Sequence, residues 1–197
     1  MKKDDVRVLR TYNQLVAGMM ELLLTKNFDE ISVSEICDAS GVHRATFYNH
    51  FNDKYEFLNF CFKNKLECIS FDNLEKGSSP DVIKRNILHF VYSVLEFIDE
   101  NRILFTSAFS GKESCTFNSS FASAINNFCY EKLNAVLSAP LNQIAIVASY
   151  YSGAFVGIIR WYIFSGKKED VDHIMTFIEH RADELCGYYE KYLLKED

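Results

Sequence analysis

Apolar residues recur at helical spacing along nearly the whole chain, and no stretch shows the alternation a strand requires. Leu9, Leu15, Val16, Met19, Leu22 and Leu23 give a first helix, over about 4–26, one apolar face. Asn27, a residue that tolerates a left-handed cap, is expected to stop it. Phe28 and Ile31 then fold back as anchors. Ser32 and Glu35 stand three apart just ahead of Ile36, the spacing of a capping box that opens a second helix. Gly41 supplies a tight turn, and a third helix follows to about Phe51. Asp53 is placed to cap a fourth, reaching about Phe71. The run Glu75-Lys76-Gly77-Ser78-Ser79-Pro80 is the clearest break in the chain. Five more helices are expected at about 81–100, 102–109, 117–137, 141–164 and 171–194. The fold class is therefore all-α, with about nine helices. The expected division is an N-terminal domain over 1–55 and a second helical domain over 56–197.

The two short helices around Gly41 form a helix-turn-helix pattern, whose second helix lies in the DNA major groove. Phe47 and Phe51 are four apart and share a core face. Arg44, Thr46, Tyr48, Asn49 and His50 cover the remaining surface. A solvated helix has no need of the tyrosine, and a core helix has no place for arginine and asparagine. A groove-facing helix uses both. Arginine can take a guanine edge through two hydrogen bonds, asparagine an adenine, and threonine a thymine methyl. Tyrosine, histidine and lysine suit phosphate oxygens, which set register. Lys54 opens the fourth helix, where the N-terminus also favours phosphate. The alternative on pattern alone is a structural helical hairpin.

Charge narrows the choice. The chain carries 21 Lys and Arg against 27 Asp and Glu, a net charge of −6, which argues against a protein that coats nucleic acid indiscriminately. Up to Lys54 there are seven basic residues against eight acidic ones, so this part is near neutral. A specific contact of modest footprint is compatible with that. The six cysteines form no CxxC pair and read as scattered core thiols in a reducing cytoplasm. No signal peptide and no membrane span is expected. There is no GxSxG, phosphate loop or HExxH, so an enzyme is not expected.

Residues from about Arg10 to Leu58 resemble the DNA-binding domain of the tetracycline-repressor (TetR/AcrR) family. The matching features are Phe28-Asp29-Glu30-Ile31, Ser32-Val33-x-x-Ile36, Ala39-x-Gly41-Val42, Thr46-Phe47-Tyr48-x-His50-Phe51 and Asp53-Lys54. The family usually has Gly where Asn27 stands, and Ser or Thr where His43 stands. The resemblance implies a recognition helix over His43 to Phe51, with phosphates clamped by Tyr48, His50 and Lys54. The DNA contacts expected are Ser32, Ser34, His43, Arg44, Ala45, Thr46, Tyr48, Asn49, His50 and Lys54.

The resemblance also implies that the remainder is a ligand-binding and dimerisation domain. Tyr150-Tyr151-x-Gly153-Ala154-x-x-Gly157-Ile158-Ile159-Arg160-Trp161 is similar to the penultimate helix of members that include regulators near dihydroxyacetone-kinase operons. Gly153, Ala154 and Gly157 are small enough to let another helix approach. Gly153, Gly157, Arg160, Trp161, Ile178 and Leu185 are expected at a homodimer interface. The alternative is that both last helices are intramolecular core. Phe90, Phe97, Phe105, Phe109, Phe121, Phe128, Tyr151 and Phe155 are expected around a ligand pocket. No charged cluster on the apolar faces points to a charged effector. His173 and His180 are seven apart, a weak metal pair, and no metal or cofactor is expected.

The function expected is a dimeric TetR-type regulator, a repressor by the family's commoner mode, on a palindromic double-stranded operator and released by an unidentified small molecule. The alternatives are an activator, a regulator answering to a partner protein, or a helical dimeric carrier or adaptor without operator binding.

Overall fold

The computed structural model describes residues 3–69, 71, 74–110, 114–165 and 167–192. Among these there are nine α-helices, one 3-10 turn and no strand. The helices are α1 (Lys3–Leu23), α2 (Val33–Ser40), α3 (Arg44–Tyr48), α4 (Lys54–Glu67), α5 (Pro80–Glu100), α6 (Arg102–Ser110), α7 (Ser114–Val136), α8 (Leu141–Phe164) and α9 (Asp170–Tyr192). The 3-10 turn is Phe28–Glu30, between α1 and α2. The all-helical reading of the sequence holds. The chain forms two compact units that do not follow chain order: Met1–Asn64 with Asn101–Ser119, and Lys65–Glu100 with Ser120–Asp197.

The first unit is built on buried large residues. Leu15, Met19 and Leu23 of α1 are buried with Phe28, Ile31, Ile36, Phe47 and Phe57. Phe47, Phe51 and Phe57 form a ring cluster with centroids 5.0 to 5.8 Å apart. Tyr12 of α1 packs on Phe51 and Phe60 at 5.6 and 4.4 Å. Gly18 is buried facing α2, and a Cβ there would stand 2.8 Å from the backbone nitrogen of Ser40. No other residue permits so close an approach. From the C-terminal side of the chain, α6 joins this core: Phe105 meets Phe62 at 6.1 Å and Phe109 meets Phe117 at 5.1 Å.

The ends of these helices follow local chemistry, with one correction. Ser32 caps α2, its side chain accepting from the Glu35 N–H at 3.2 Å, while Glu35 accepts from the Ser32 N–H at 2.9 Å. Gly41 closes α2 in the left-handed region at φ 68, which a side chain would strain. Asp53 caps α4 by accepting from the Tyr55 and Glu56 N–H groups at 2.9 and 2.8 Å. Asn27 is not a left-handed cap. The helix ends at Leu23, and Asn27 sits in extended backbone at φ −71, because it leads into the 3-10 turn rather than closing α1.

The second unit packs α5, α7, α8 and α9. The inward face of α5 is Phe90, Val91, Val94, Leu95 and Ile98. Lys84 of α5 is clasped by Glu179 and Asp183 of α9 at 3.0 and 2.8 Å. Fully buried Tyr162 of α8 donates to Asp99 of α5 at 3.2 Å. Asn126 of α7 donates to buried Ser152 of α8 at 2.9 Å. By length and composition alone α8 could cross a membrane. Seven buried residues and the Asn126 and Asp99 hydrogen bonds instead hold it within its unit.

Candidate nucleic-acid interface

Helix α3 is only five residues long, and its placement rests on what flanks it. Phe47 is fully buried and Phe51 is buried just beyond the helix end. With these two rings fixed in the core, the opposite surface must face outward. His43, Arg44, Ala45, Tyr48, Asn49 and His50 are exposed, and Thr46 is half-buried. Seven of the ten residues expected to contact DNA thus share one short outward surface. Tyr48 is 55% exposed, a large apolar ring with no core to serve.

Several of the expected contacts also have partners within the protein. The Arg44 guanidinium donates to the Ser34 hydroxyl, which bridges α3 to α2. Ser34 in turn donates to Asp38 at 3.4 Å. These two residues therefore sit together at the opening of α3. Ser32 is occupied by its capping role, its hydroxyl donating to Glu35 at 2.7 Å. His43 occupies the N-cap position of α3 but makes no side-chain cap, so it remains outward. His50 is steadied by Tyr12, edge-on at 5.5 Å with the phenol 3.5 Å from Nδ1.

Lys54 requires a correction. Its place at the start of α4 suits phosphate, but its ammonium donates to the carbonyls of Phe28, Asp29 and Ile31 at 2.7, 2.8 and 2.7 Å. An ammonium has three donors, and all three are spent. The charge also stands 4.9 Å from the Phe28 ring and 5.4 Å from that of Tyr55. Burial pulls its pKa below the ordinary lysine value, while Asp29 and Glu35 pull the other way. Lys54 is a rivet under the turn that leads into α2.

Glu35 anchors a charged cluster nearby. It pairs with Lys26 and accepts from both Ser32 groups. These bonds, Lys26 first, pull its carboxyl down to about 2. The pair ties the chain just after α1 to the first turn of α2.

In the second unit the helices leave a partly open, mostly apolar pocket of about 140 Å³. Four of the eight rings expected around a ligand line it: Phe90, Phe128, Tyr151 and Phe155. Phe105 and Phe109 belong to the core of the other unit, because α6 packs there. Phe121 is fully buried without lining the cavity, and Phe97 lies under the Lys65 ammonium at 5.1 Å. Burial at the cavity wall raises the Tyr151 phenol and pushes the Cys129 thiol up to about 12. Among the described residues no group of three or more His, Cys, Asp or Glu could hold a metal.

The outer face of α8 carries Gly153, Gly157, Arg160 and Trp161, all exposed. Around them Ile146, Tyr150 and Phe164 are 68, 70 and 47% exposed. Ile178 and Leu185 do not join this face. Both line the cavity, and Leu185 is buried against Val136, Leu137 and Ile144, because their side of α9 faces inward. Three residues with clear roles carried no signal in the sequence. Tyr12 and Ser107 act on partners far along the chain, and Lys132 stands at the cavity wall between residues of ordinary helical pattern.

Residues 15–60 match the family model described as bacterial regulatory proteins, tetR family. Residues 85–183, half of the chain, match that of a transcriptional regulator C-terminal region, TetR_C_8. The HTH-type dhaKLM operon transcriptional activator DhaS of Lactococcus lactis subsp. lactis is 26% identical over 110 residues, 55% of this chain and 52% of DhaS. The uncharacterized regulator YxbF of Bacillus subtilis is 35% identical over 81 residues, 41% of this chain and 21% of YxbF. The matches span about half or less of the length of these curated relatives. Among solved structures, dihydroxyacetone kinase operon activator DhaS aligns with a TM-score of 0.61 at 20% identity, over 90% of this chain and 97% of the other. A TetR regulator from Rhodococcus sp. RHA1 aligns at 0.62 and 12% identity, over 91% and 97%. Such identities establish the fold alone. These matches are to transcriptional regulators rather than enzymes. With its helix-turn-helix and its C-terminal half both matched, the chain belongs to the tetR family of bacterial transcriptional regulators and carries that family's DNA-binding domain.

Proposed function

We propose that the chain acts in the cytoplasm as a homodimer that reads a palindromic operator through α3 and represses transcription until a small molecule releases it. The observation that carries this reading is the outward polar surface of α3, set on buried Phe47 and Phe51. Arg44 and Asn49 supply the base-reading chemistry, and Tyr48, His43 and His50 supply phosphate partners. Two copies would address half-sites about 34–36 Å apart, one helical turn of DNA. The exposed apolar face of α8 supports dimerisation, since a monomer would leave Ile146, Tyr150, Trp161 and Phe164 in water. The cavity of the second unit supports effector binding, and an effector acts by favouring one conformer over another.

A second reading is favoured by one comparison. The relative DhaS is described as an activator of the dhaKLM operon, so promoter binding by this chain could raise transcription instead. A gel shift with the DNA upstream of the chain's own gene tests the shared core of both readings. A retarded band that survives excess nonspecific DNA supports them, and its absence leaves the carrier or adaptor reading. A reporter on the same promoter, with and without the gene, then separates repression from activation.

A further inference from the structure

The cavity of the second unit is apolar on nearly every side, yet it carries one cation without an anionic partner among the described residues. Two basic residues line it, Lys132 and Arg181, and no acidic one does. The Arg181 guanidinium is taken by Glu184 at 2.8 Å. The Lys132 ammonium pairs with no carboxylate among the described residues. It stands over two rings of the cavity wall, 4.5 Å from the Phe71 centroid and 5.2 Å from that of Phe128. Ring faces hold a cation in place without neutralising it. A lysine held at an apolar wall is suited to receive a charge from a ligand.

We propose that this cavity binds a compact apolar carboxylic acid, with Lys132 as the residue that selects its carboxylate. This rests on the reading of the second unit as an effector domain and names the chemical class of its ligand. Phe90, Phe128 and Phe155 present rings to the apolar body, with Phe90 and Phe128 stacked at 4.7 Å. The volume of about 140 Å³ resembles that of an apolar cavity that accepts a single benzene ring. A one-ring acid therefore matches the volume that this pocket offers. The charge count favours a monoanion. Lysine offers a single point charge, and the positive charge of Arg181 is offset by its pairing with Glu184.

The test uses 3-phenylpropanoate and its neutral counterpart 3-phenylpropanamide, titrated calorimetrically into the full-length protein at neutral pH without DNA. The acid should bind at least about tenfold more tightly than the amide, the ratio expected of one charge-assisted hydrogen bond. Lys132→Met should abolish that preference while Lys132→Arg keeps it. Leu133→Trp, which fills the cavity, should weaken both probes. Equal binding of acid and amide to the wild type overturns the proposal, as does binding of neither. A Lys132→Met protein that still prefers the acid, or a Leu133→Trp protein that binds both normally, overturns the assignment to this cavity. Each of these outcomes leaves the ligand-free gel shift unaffected, so failure here is distinct from failure of the DNA-binding reading.

Discussion

The backbone N–H of Phe28 donates to the Ser107 hydroxyl at 2.6 Å, joining the turn before α2 to α6 across 79 positions of sequence. Phe28 is fully buried, so its N–H cannot turn to bulk water for a partner. Ser107→Ala should leave that donor unsatisfied and cost about 1–3 kcal/mol. Urea unfolding should show a lower midpoint with an unchanged slope. A midpoint equal to the wild type would show that this bond contributes nothing.

Lys54→Met should act on stability before it acts on DNA. Three carbonyls lose a shared charged donor, a loss of about 2 kcal/mol by the usual worth of one such bond. The dependence of DNA affinity on salt should keep its slope, since no phosphate contact is removed. A slope lower by about one unit per subunit, with stability intact, would return Lys54 to the phosphate backbone.

The Glu35 cluster predicts an acid response. Its carboxyl is pulled from an ordinary 4.5 to about 2 on folding. A group whose pKa falls on folding stabilises the fold fully above its unfolded value and loses that contribution as pH drops through its folded one. Stability should therefore decline between pH 4.5 and about 2 as Lys26 and Ser32 lose their partner. Glu35→Gln, with no charge to titrate, should be less stable at neutral pH and show a shallower decline in that window. Parallel thermal unfolding curves for the two proteins against pH would contradict the assignment.

The fold was legible because its signals are local. Helical spacing marks α5 and α8, and the Ser32–Glu35 box and Gly41 mark the ends of α2 within a few residues of sequence. The surface of α3 was legible for the same reason: Phe47 and Phe51 fix its inner face, so its outer face follows. Long-range relationships were not. Nothing near Lys54 announces that three carbonyls 23 to 26 positions earlier will claim its charge. Phe105 and Phe109 look like any aromatic pair in a helix, and only the packing of α6 with the DNA-binding core takes them away from the cavity. Ile178 and Leu185 line the cavity of their own subunit because α9 has an inner and an outer side, and the sequence does not say which is which.

Gly157→Leu tests the dimer. Gly157 is exposed and a Cβ there would meet nothing within 4 Å of its own subunit, so a larger residue should leave the folded monomer intact. Placed in a face shared by two copies, it should force the paired helices apart. Sedimentation should show dimeric wild type and monomeric variant, and operator binding should fall because one subunit reaches only half the site. A dimeric variant, or a monomeric wild type at micromolar concentration, would remove α8 from the interface.

Sequence selection by α3 is the claim on which the rest depends. Duplexes selected by the purified protein from a random pool should converge on an inverted repeat. Against the selected duplex, Arg44→Ala should relax preference at one base pair in each half-site, at a cost of about 1–3 kcal/mol there, and leave scrambled DNA bound as before. A pool that never converges, or an Arg44→Ala protein equally weakened on selected and scrambled duplexes, would contradict base reading by α3.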